Sequence, residues 1–122
     1  MEHEMHLMEE PFNLVKEGKK TIEIRIFDEK RRNVKVGDTI TFRSLADDSD
    51  IACDVVGISI FGSFRDLLLA FDKEKFGHPA DITFDEQLKR QYRHYSVGEE
   101  KTYGVVGIHI KLKPGIIEKY VK

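Results

Sequence analysis

The chain has 122 residues, 40% hydrophobic and 34% charged, with a formal net charge of −2. That is a folded composition of about one domain, 1–122. It excludes a disordered chain, and it excludes a binder that holds nucleic acid through overall positive charge, so any phosphate contact must come from a local basic patch. One cysteine, Cys53, excludes an intrachain disulfide and a cysteine-pair zinc site, and its apolar neighbours Ile51, Ala52, Val55 and Val56 mark it as buried and inert. The acidic start Met1-Glu2-His3-Glu4 lacks the apolar core of a secretory leader, and no apolar run reaches membrane-spanning length. The expected compartment is the cytosol.

In chain order, His3 to Leu7 reads as a short strand, and Glu9 to Glu17 as a short helix with Pro11 in its first turn and Gly18 behind its end. Thr21 to Ile26 alternates, with Ile22, Ile24 and Ile26 on one side and Thr21, Glu23 and Arg25 on the other. Asp28 to Asn33 is a charged loop. Strands are expected over Thr39 to Arg43 and Ile51 to Phe61, the latter with a bulge or bend at Gly57. Ser63 caps a helix that buries Phe64, Leu67, Leu68 and Phe71. Thr83-Phe84-Asp85-Glu86 has capping-box spacing and opens a helix to about His94. Gly98 breaks the chain, Gly104 to Leu112 is the last strand, and Ile116 to Lys122 is a short extension.

This order, β-α-β-β-β-α-α-β, suits an α+β fold: a small bent sheet or β-barrel of about five to six strands with two to three peripheral helices. Its core is expected to hold Ile22, Ile24, Ile26, Ile40, Phe42, Val55, Val106 and Ile108.

The segment richest in chemistry is Gly18-Lys19-Lys20-Thr21-Ile22-Glu23-Ile24-Arg25. A glycine turn delivers Lys20 to the mouth of a strand whose polar face carries Glu23 and Arg25 side by side. Two cations flanking one carboxylate can hold a phosphate or polarise a carbonyl while the carboxylate orients the guanidinium. The plain alternative is a solvated ion pair on an edge strand. Two further groups suit nucleic acid: the basic loop Lys30-Arg31-Arg32 with Lys35, which could track a backbone or be plain solvated loop, and Tyr92, Tyr95 and Tyr103 beside Arg90, Arg93 and His94, which interleave aromatics with cations as single strands require. Tyr92 falls at core spacing, whereas Tyr95 and Tyr103 stand at element ends. His3 and His6 point to opposite faces of a strand and are not expected to share a metal, His78 in Gly-His-Pro reads as turn chemistry, and His109 as surface or satisfied core. With no phosphate loop or dinucleotide fingerprint, no metal or cofactor is expected.

The run Gly18, Lys20, Glu23, Arg25 resembles the G-x-K-x-x-E-x-R signature of the ASCH family. The likeness extends through Pro11-Phe12, Asp28 to Arg32, Val34 to Phe42 and Tyr103-Gly104-Val105, from Met5 to about Leu112. The resemblance implies a PUA-like barrel with a cleft lined by the signature, binding RNA or a nucleotide-like ligand. Family members that deacetylate N4-acetylcytidine carry threonine where this chain has Glu23, so that activity is not expected here. The resulting site set for RNA or ligand is Lys20, Glu23, Arg25, Arg31, Arg32, Tyr95 and Tyr103. The alternative is a hydrolase on RNA or a modified nucleoside with Lys20 and Glu23 catalytic. Lys20 within reach of Glu23, with room for water and a base, favours the hydrolase; a groove continuous with the Lys30 to Lys35 loop favours RNA.

Overall fold

A computed structural model describes residues 1–114, and the expected extension from Ile116 to Lys122 lies outside the described residues. Five strands, β1 (Glu2–Leu7), β2 (Ile22–Ile26), β3 (Thr39–Ser44), β4 (Asp50–Phe61) and β5 (Val105–Leu112), form one curled sheet in the order β1-β3-β4-β5-β2. Among the described residues only β1 and β3 run parallel. The sheet is an α+β half-barrel whose two edge strands, β1 and β2, face each other across a seam bridged by a side chain: Arg25 Nη2 donates to the His6 carbonyl at 3.0 Å. Gly57 marks the expected bulge, since the β4–β5 register shifts between Val55 and Gly57.

The alternation of β5 separates two cores. Its Val106, Ile108 and Ile110 point to the inner face with Met5, Leu7, Ile40, Phe42 and Val55, and helix α1 (Glu9–Lys16) covers them with Phe12 and Val15. Val105 points to the outer face, where it packs with Ile22, Ile24 and Ile26 under helix α3 (Phe64–Ala70) and Phe76 of a 3-10 helix, Lys73–Phe76. All eight expected core residues are buried. The three isoleucines, however, lie outside the curl rather than in it. Glu23 pairs with Ile108 and Arg25 with Val106, so the polar face of β2 is the one turned inward.

Helices are more numerous than expected. Asp28 to Asn33, read as loop, contains a short helix α2 (Glu29–Arg32), because the Asp28 side chain accepts from Arg31 N–H at the helix start. Helix α4 (Phe84–Tyr92) is capped by Thr83 as expected. Helix α5 (Val97–Tyr103) stands where Gly98 was read as a break; Ser96 and Glu99 form a reciprocal capping box that outweighs the glycine. Among the described residues no helix is long and apolar enough to cross a membrane.

Candidate functional site

The site begins at the end of α1. Gly18 takes the left-handed conformation, φ 76°, and the next two N–H groups, those of Lys19 and Lys20, donate to the Leu14 carbonyl. Thr21 N–H then bonds to the Lys75 carbonyl, which fixes the entry to β2 against the 3-10 helix. Lys20 Nζ lies 2.7 Å from Glu23 Oε1, and Arg25 Nε donates to Glu23 Oε2 at 2.6 Å. The Lys20 and Arg25 side chains are 12% and 13% exposed and that of Glu23 5%, so this is not a solvated surface pair. Burial alone would push the Glu23 carboxyl up; the charges and hydrogen bonds of Lys20 and Arg25 outweigh it and hold the group below its ordinary value. Burial likewise opposes the charge on Arg25, and Glu23 overrides it, raising the guanidinium above its ordinary value.

These three residues open on a cavity of about 830 Å3 between the end of β1, α1 and the C-terminal end of α4. Its wall also carries Arg31, Arg90, Arg93, His78 and Tyr95. Tyr95 is half-buried, its ring stacked on Phe64 at 5.7 Å between centroids. Burial pushes its hydroxyl up, with the Arg25 charge pulling the other way. Of the seven residues expected at the site, the fold therefore brings Lys20, Glu23, Arg25, Arg31 and Tyr95 to one cavity. Arg32 and Tyr103 do not line it: Arg32 lies over the Phe27 ring at 4.4 Å, and Tyr103 is exposed at the end of α5. Lys30 and Lys35 are also absent from the wall, so the cavity is a pocket rather than a groove running along that loop.

His78 is the wall residue that reading the sequence as a turn missed. Its Nδ1 lies 3.0 Å from Gln87 Nε2, and burial, then the Arg90 and Lys20 charges, push it down to about 4. No local signal could have found it, since its partners come from other elements. His6 and His94 also line the cavity, whereas His3 and His109 are held elsewhere. His3 bonds to Asp38 at 2.8 Å, and His109 to Ser59 at 2.8 Å. Cys53 is buried, and burial beside Asp54 pushes its thiol up to about 11. Among the described residues no three His, Cys, Asp or Glu side chains are placed to hold a metal ion.

The family model of the ASCH domain matches residues 5–114. The chain belongs to the ASCH domain family. Two solved structures of similar sequence agree. The crystal structure of hypothetical protein PH0355 is 37% identical with TM-score 0.81, covering 93% of this chain and all of that one. The solution structure of protein PF0455 from Pyrococcus furiosus is 38% identical with TM-score 0.69, covering 94% of this chain and all of that one. A mutant ZmASCH protein from Zymomonas mobilis shares the fold at 19% identity and TM-score 0.58, over 88% of this chain and 66% of that one. A comparison with curated proteins returns no match. The curled sheet and peripheral helices of this ASCH domain have the PUA-like architecture.

Proposed function

We propose that the cleft binds RNA or a nucleotide. Lys20 and Arg25 contact a phosphate or base carbonyl, Glu23 orients Arg25, Arg31 adds charge at the wall, and Tyr95 offers a ring for stacking. The observation that carries this reading is the buried carboxylate clamped between two cations, with both oxygens taken and the remaining N–H groups of the cations beside a cavity. A pocket lined by donors selects a ligand rich in acceptors, and the association of the ASCH family with RNA and nucleotides supplies the class. The test is a salt titration of single-stranded RNA binding for wild type, Arg25→Lys, Arg25→Ala and Glu23→Gln. Both arginine variants and Glu23→Gln should weaken binding; an Arg25→Lys protein that binds like wild type at every salt concentration sinks the cleft as the recognition site.

A second reading, hydrolysis of RNA or a modified nucleoside, is favoured by the 2.7 Å contact of Lys20 with Glu23 and by a cavity with room for water. Against it, a carboxylate bonded through both oxygens and held below its ordinary value is a weak general base. Purified protein should release no acetate from N4-acetylcytidine at a useful rate; rapid turnover would reverse the order of the two readings.

A further inference from the structure

Five cationic side chains line the cleft, and four of them already have a carboxylate. Lys20 and Arg25 share Glu23, Arg31 pairs with Asp28 at 2.8 Å, and Arg93 with Glu86 at 3.0 Å. Arg90 differs. It is half-buried on the wall, and no carboxylate among the described residues lies within 4.0 Å of it. Its place in the last turn of α4 offers it only the helix end's partial negative charge, about half an elementary charge. A guanidinium on the cavity wall with no carboxylate within reach has its charge and donors available to an anionic ligand.

His78 belongs to the same wall. Gln87, three residues before Arg90 on α4 and buried, holds its Nδ1 at 3.0 Å. With the amide donating there, the ring's proton sits on Nε2, which makes that atom a donor. The Phe76 ring packs on the imidazole at 5.8 Å between centroids. Gly77, at φ 80°, lets the Lys20 stem approach so closely that a Cβ there would lie 3.2 Å from it. The charged groups facing His78 are thus Lys20, ahead of β2, and Arg90, on α4; both favour a neutral ring.

We propose that the Arg90 guanidinium and the His78 Nε2–H form an oxyanion subsite at the Lys20 end of the cleft, and that it takes the phosphate of a nucleotide. This rests on the nucleotide-binding reading of the cleft and adds where the phosphate sits. The neutral imidazole contributes a directed hydrogen bond and Arg90 the missing charge. The Glu23 clamp is then left to contact the base or sugar.

The test has two arms. In the first, the His78 ring is titrated by NMR with and without inorganic phosphate. Phosphate should raise its midpoint from about 4. Arg90→Ala should raise the midpoint without phosphate, by removing a neighbouring cation, and abolish the further rise. In the second, calorimetry compares the common nucleosides with their 5′-monophosphates. The monophosphates should bind about tenfold tighter or more, with Arg90→Ala closing most of that gap and Arg90→Lys part of it. Phosphate that leaves His78 unmoved, together with monophosphates no tighter than nucleosides, overturns the subsite while leaving nucleoside binding intact. A gap that survives Arg90→Ala also overturns it and places the phosphate at another cation. Should phosphate move His78 while no nucleoside, nucleotide or RNA binds, the subsite stands and the nucleotide reading of the cleft falls.

Discussion

Two of the buried carboxylates among the described residues, Glu100 and Glu23, do opposite things. Glu100, on α5, accepts the Phe64 N–H at 2.7 Å and the Tyr92 hydroxyl at 2.8 Å. Each of those donors has a single hydrogen, so the arrangement is complete in itself and ties α5 to the start of α3. Glu23 is as well satisfied, but by an ammonium and a guanidinium that have donors to spare. The first closes a structure and the second builds a site. Burial and satisfaction alone do not distinguish them; unused donors beside a cavity do.

The comparison is sharpened first by removing each carboxylate. Glu23→Ala strands two mostly buried cations and should cost about 3–5 kcal/mol of stability by chemical denaturation, with ligand binding lost as well. Glu100→Ala leaves a backbone N–H and a phenol unpaired and should cost about 1–3 kcal/mol, with binding kept within about twofold. Equal effects of the two on ligand affinity would break the distinction. Arg25→Lys keeps the charge but loses the fork that reaches both Glu23 and the His6 carbonyl; RNA binding should fall about tenfold, close to the effect of Arg25→Ala, in a filter-binding or anisotropy titration. The smallest effect concerns acid. Glu23 has its carboxyl held below its ordinary 4.5, so its stabilisation is complete above that value and is lost as pH falls through the lower folded one. The stability gap between wild type and Glu23→Gln should accordingly be constant from neutrality to about pH 5 and shrink below about pH 4.5. A gap that widens on acidification would show the carboxyl is not held down.

The strands were legible because alternation and turn residues mark them locally, and the run from Gly18 to Arg25 carried the heart of the site for the same reason. What was not legible is which side of β2 faces inward. Ile22, Ile24 and Ile26 alternate identically whether they fill the curl or lie beneath α3, and only the pairing with β5 decides. The inward turn of Glu23 and Arg25, and hence their burial, followed from that choice. Helix α5 was hidden behind Gly98, although Ser96 and Glu99 had the spacing of a capping box and would have disclosed it. His78, and the standing of Arg90 as a cation without a counter-ion among the described residues, depend on Gln87, Lys20 and the distribution of acids across distant elements. Arg32 and Tyr103 illustrate the converse: the right residue types near the right segment, turned away from the cavity by an aromatic contact in one case and by a helix end in the other.

The order β1-β3-β4-β5-β2 has a consequence for how the chain is made. β2 carries Glu23 and Arg25, yet among the described residues its only sheet partner is β5, the last of the described strands to leave the ribosome. The strand that bears the site is therefore translated early and must wait for almost all of the described chain before it can pair. Such long-range closure slows folding and leaves an apolar strand unprotected meanwhile. Nascent chains halted before Val105 should lack the Glu23 clamp altogether, however native the β1-β3-β4 portion has become.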